Sequence, residues 1–90
     1  METVKKKEQF ISRKVMDNFV LMPYGETSHR FSGMVMTTET GAFIWEHIEE
    51  VNSPEEMAKL LIEEFDVSYE EALADVTALF DNFQKAGWIE

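Results

Sequence analysis

Short apolar runs rich in β-branched and aromatic residues occupy the first part of the chain, and apolar positions at helical spacing occupy the rest. The change of period falls within Gly33-Met-Val-Met-Thr-Thr-Glu-Thr-Gly-Ala-Phe-Ile-Trp45, which reads as a strand running with almost no loop into a helix N-terminus. Phe10 to Met16 (FISRKVM) and Phe19 to Tyr24 (FVLMPY) give the first two strands, separated by Asp17-Asn18, a dipeptide suited to a tight hairpin. Pro23 has no amide to donate, so it marks a strand end or a position facing away from a partner. Residues 24–33 are polar and bracketed by glycine, which predicts a loop. The third strand covers Met34 to Thr38, with Met34 and Met36 on one face and Val35 and Thr37 on the other. If the strands form a meander, the third is an edge.

Thr38 is the expected N-cap of the first helix, and Ala42, Ile44, Trp45, Ile48 and Val51 supply its buried stripe. Ser53-Pro-Glu-Glu56 and Ser68-Tyr-Glu-Glu71 each carry a capping serine and a glutamate three residues later. They set helix 2 at about 54–65 and helix 3 at about 69–86. Helix 2 spreads Met57, Ala58, Leu60, Leu61, Ile62 and Phe65 over an arc wide enough to pack on both sides. Ala72, Val76, Leu79 and Phe83 form the core stripe of helix 3, with Leu73 and Phe80 widening it to one side. Gly87 suits a left-handed C-cap, with Trp88 or Ile89 folding back on the last turn. The fold class is therefore α+β, a three-stranded antiparallel N-terminal sheet followed by a three-helix unit in a winged-helix-like order. Residues 1–8 read as a flexible polar tail and 9–90 as a single domain.

Composition narrows the function. The chain has 90 residues, 44% of them hydrophobic, which is too apolar for disorder and large enough for one modest core. It contains no cysteine, so disulfides, thiolate metal sites and thiol nucleophiles are excluded, and a cytoplasmic protein is the default. No apolar run approaches the ~20 residues of a membrane span, and the lysines near the N-terminus precede no signal-peptide core. Residues 1–30 carry six Lys/Arg against four Asp/Glu, residues 31–38 none, and residues 39–90 two against fourteen. A helical part at −12 repels phosphate backbones, which argues against nucleic-acid binding. Helix 3 would expose Glu70, Glu71, Ala74, Asp75, Asp81 and Lys85, unlike a DNA-reading helix.

Enzyme chemistry has no visible seat. His29 and His47 are far apart in sequence, and Glu46, His47 and Glu50 read as a solvated helix face rather than a metal site. Ser68 stands at a helix start as a carrier-protein serine does, but its neighbours Val67 and Tyr69 do not make that signature, and capping accounts for it. What remains is a binding surface: an unpaired edge of the third strand, to which an extended peptide can add, beside helix 3. Leu73 and Phe80, with Val76 or Phe83 beneath, would form an apolar groove there, although periodicity alone also fits these residues as core.

Thr37-Thr-Glu-Thr-Gly-Ala-Phe-Ile-Trp-Glu46 resembles the Leu-Asn-x-Thr-Gly-Ala-x-Ile-Trp-Glu segment of the PqqD-like proteins (coenzyme PQQ synthesis protein D). Phe19-Val-Leu-Met-Pro-Tyr-Gly25, Ser53-Pro-Glu-Glu56, Glu63-Glu-Phe-Asp-Val67 and Lys85-Ala-Gly-Trp-Ile89 extend the similarity over about residues 10–90. The resemblance implies a non-enzymatic chaperone, without cofactor, that binds the leader of a ribosomally made precursor peptide and presents it to a modifying enzyme, often a radical S-adenosylmethionine enzyme. It assigns Met34, Val35, Met36 and Thr37 to strand addition and Leu73, Val76, Phe80 and Phe83 to the groove. The cysteine-free chain leaves any redox chemistry to a separate enzyme. The alternative is a winged-helix interaction or transcription-associated protein acting through dimerisation, so a homodimer stays open.

Overall fold

The computed structural model describes residues 2–90. Strands β1 (Phe10–Val15) and β2 (Asn18–Pro23) form an antiparallel hairpin, and β3 (Val35–Thr37) pairs with the other side of β2. The sheet order is thus β1-β2-β3, and three helices follow: α1 (Glu39–His47), α2 (Pro54–Glu64) and α3 (Tyr69–Lys85). This is the α+β arrangement expected from the sequence pattern.

The hairpin turn differs from expectation by one residue. Val15 pairs with Asn18, so the loop is Met16-Asp17, and Met16 takes a left-handed backbone with φ of 58°. The register is held at the open end of the hairpin, where the Tyr24 amide donates to the Gln9 carbonyl at 3.0 Å. The stretch after β2, expected as a plain loop, contains a 3-10 turn (Gly25–His29) folded onto the sheet end. Its Thr27 is buried, accepting from the Gln9 amide at 2.6 Å and donating to Glu8 at 2.8 Å.

Each helix starts at its expected cap. The Thr38, Ser53 and Ser68 hydroxyls accept from the amides of Gly41, Glu56 and Glu71 at 3.0, 3.2 and 3.1 Å. At the far end of α3, Gly87 has φ of 80°, its amide bonds Gln84, and the Trp88 amide reaches back to the Phe83 carbonyl at 2.8 Å. That pair of bonds is a Schellman motif, and it turns Trp88 into the core. There Trp88 stacks on Phe10 with ring centroids 4.0 Å apart and lies against Phe83 and Trp45. The Trp45 indole donates to the Phe10 carbonyl at 2.9 Å, pinning β1 to α1. The middle helix α2 packs against both neighbours through Met57, Ala58 and Leu61.

Residues 4–8, expected as part of a tail, are held in place. Lys6 bridges Ile89 in antiparallel fashion, Lys7 donates to the Trp88 carbonyl at 2.7 Å, and Val4 donates to Val51 at 2.8 Å. Lys5 and Lys7 are exposed and Lys6 lies over the Trp45 ring at 4.7 Å, while the backbone between them finds partners at the opposite end of the chain. Met1 lies outside the described residues.

Candidate functional site

The sheet phase determines what β3 offers to solvent. In an antiparallel ladder, residues alternate between those bonding one neighbour and those bonding the other. Tyr24 bonds Gln9, and the register carries that phase along β2, so Met22, Val20 and Asn18 also face β1. Phe19 and Leu21 therefore face β3, where they pair with Thr37 and Val35. Met36, opposite Val20, is left with its amide and carbonyl directed away from β2, toward the open edge. Among the described residues no further strand covers that edge.

The strand is short and stiffly anchored. Thr38 caps α1 immediately after it, and Gly41 sits so close beneath that a Cβ there would collide with the Thr37 hydroxyl. The Cα-to-hydroxyl approach at Gly41 couples the end of β3 to the first turn of α1. Thr38, Gly41 and Ala42 thus divide the work of this turn: a cap, a residue without a side chain, and an alanine buried against the core.

Beside β3 lies a cleft of about 230 Å³, lined by Val35, Met36 and Thr37 on one side and Leu79, Asn82, Phe83 and Ala86 of α3 on the other. Leu21 and Trp88 also contribute to its lining. Of the residues expected at the site, Val35, Met36, Thr37 and Phe83 are brought together here. Met34 is exposed just before the strand and does not line the cleft. Val76 is wholly buried in the core, and Leu73 opens onto another face of α3 with Glu70, Ala74 and Thr77. Phe80 is 9% exposed and turns toward the N-terminal segment near Val4 and Ile89.

Leu79 and Phe80 have thus exchanged the roles expected for them. Leu79 is half-buried at the cleft and Phe80 joins Ala72, Val76 and Phe83 in the buried stripe. Asn82 and Ala86, which carried no sequence signal of their own, complete the wall. They would have been found by extending the helical face of Leu79 by three and seven residues.

Two other polar groupings are accounted for locally. His47 Nδ1 meets Glu50 at 2.6 Å as a pair, and among the described residues no cluster of three or more His, Asp or Glu is placed to hold a metal ion. The Glu8 carboxylate accepts from Arg30 and from the Thr27 hydroxyl, and these bonds hold it below the usual carboxylate range. No described helix is long and apolar enough to cross a membrane.

Fold and cleft together define a class: a small α+β domain whose sheet ends in a free edge overlooking an apolar cleft. The chain belongs to the PqqD family, whose model, coenzyme PQQ synthesis protein D, matches residues 18–89. Neither a curated protein nor a solved structure matches it significantly.

Proposed function

We propose that this chain is a non-enzymatic chaperone that binds the leader of a ribosomally made precursor peptide as a fourth strand on β3 and presents it to a modifying enzyme, a radical S-adenosylmethionine enzyme being the expected partner. The PqqD family is one of accessory proteins that recognise precursor peptides, which supports this reading. The single observation that carries it is the outward-facing backbone of Met36 beside the cleft. Backbone bonds to that edge would supply register and part of the affinity, and side chains alternating along the peptide would enter the cleft one at a time. Leu79 and Phe83 would make the apolar contact, with Asn82 free to bond the peptide backbone.

The site needs no catalytic group for this task. Presentation consists of ordering a flexible segment, and its cost is met by the new backbone bonds and the burial of one or two side chains. The test is amide exchange followed by NMR, with a synthetic leader peptide as titrant. The Met36 amide exchanges freely in the unliganded protein and becomes protected on binding. Protection confined to α2 or to the hairpin tip would overturn strand addition. The same free edge could instead pair with a second copy, in which case light scattering gives a dimer mass that the peptide shifts to monomer.

A further inference from the structure

The cleft wall continues past its apolar part. An α-helix advances by ~100° per residue, so residues 75, 79, 82 and 86 of α3 share one face, and Glu71 lies one turn further toward the helix start. The helical face that lines the cleft with Ala86, Asn82 and Leu79 thus continues beyond the cleft to Asp75 and Glu71, both exposed. The Glu71 carboxylate accepts from the Ser68 hydroxyl at 3.2 Å, whereas Asp75 takes part in none of the carboxylate pairs found among the described residues. Residues 31–38 carry no charge, and residues 39–90 contain only Lys59 and Lys85 against fourteen acids. Lys85 is held by Asp81 at 2.9 Å.

We propose that the peptide accepted by this edge carries a lysine or arginine two to four residues from the apolar side chain seated in the cleft, and that Asp75, reinforced by Glu71, selects for it. The inference rests on the strand-addition reading. Asp75 stands about 6 Å along the helix axis from Leu79 and about 10 Å from Asn82 at 1.5 Å per residue. Two or three strand residues at about 3.3 Å each cover that distance, and the length of a lysine or arginine side chain adds one more. An acidic residue at the same place meets Asp75, Glu71 and the −12 of the helical part, so the wall discriminates by repulsion as well as attraction.

The experiment is selection of displayed random twelve-residue peptides on the intact protein and on its Asp75→Lys variant. Wild type enriches peptides with an apolar anchor and Lys or Arg at the stated offset. Asp75→Lys keeps the apolar anchor and enriches Asp or Glu there instead. A synthetic selected peptide loses about two- to fivefold in affinity when its lysine becomes serine, and the difference shrinks in high salt. Selected peptides that share the anchor but show no charge preference, or a preference unchanged by Asp75→Lys, overturn this inference and leave strand addition standing. If folded wild type selects no peptide at all, strand addition fails and the inference with it.

Discussion

Gly41→Ala isolates the contact that ties β3 to α1. In an ordinary helix the change is favourable by about 1 kcal/mol, because alanine is the better helix former. Here the new Cβ would collide with the Thr37 hydroxyl and lie 3.2 Å from the Thr38 hydroxyl that caps the helix. Crowding of this kind costs about 1–3 kcal/mol, and disturbance of the cap up to about 1 kcal/mol more. Subtracting the propensity gain leaves a net loss of about 0–3 kcal/mol, a fall in Tm of up to roughly 20 °C for a domain of this size. The assay is thermal unfolding followed by circular dichroism for wild type, Gly41→Ala, Thr37→Ala and the double variant. With the Thr37 hydroxyl removed, Gly41→Ala should become neutral or stabilising by up to about 1 kcal/mol. A rise in Tm for the single variant in the wild-type background, or an equal fall in both backgrounds, would refute the close approach as the reason for glycine at this position.

Three further outcomes are expected. Met16→Gly should raise stability by about 1 kcal/mol in thermal unfolding, since the residue is 87% exposed and its left-handed backbone is strained for a side chain; a lower Tm would show that Met16 packs more than its exposure implies. Phe80→Ala should destabilise by about 3–5 kcal/mol as a core truncation, whereas Leu79→Ala should weaken peptide binding with a smaller loss of Tm; the reverse order would return Phe80 to the groove. Glu8, held below its ordinary value of 4.5 by Arg30 and then Thr27, stabilises the fold fully above that pH, and the contribution is lost as pH falls through the lowered value. Glu8→Gln should therefore flatten the decline of Tm below pH 4.5, and parallel declines by calorimetry would contradict the pairing.

What the sequence revealed was what neighbouring residues decide. Thr38, Ser53 and Ser68 act on amides three residues away, so cap, first turn and helix start all lie in one short window. Gly87 with Trp88 is another local device, and it too reads from five or six residues. The choice between Leu79 and Phe80 is different. Stripes 72-76-79-83 and 72-76-80-83 both fit a helix, and in the structure Phe80 is the buried one, on the side of α3 that faces Val4 and Ile89. The segment around Val4 was read as a tail because it is polar, charged and without periodicity, yet its backbone pairs with residues 88–90 at the other end of the chain and Lys6 lies over the Trp45 ring. The hairpin shows the same limit: Asp17-Asn18 is the better turn dipeptide, but the bonds of Gln9 to Tyr24 and Thr27 set the register from the opposite end and place Met16 in the turn.

The central claim is that the outward backbone of β3 receives a peptide strand. Proline at Met36 removes the amide aimed at the open edge and none of those that bond β2, so the sheet and helices should remain intact. Calorimetric titration of the leader peptide into wild type and Met36→Pro, with circular dichroism as the check on folding, tests this directly. Strand addition requires that the folded variant lose measurable binding. Unchanged affinity would contradict it.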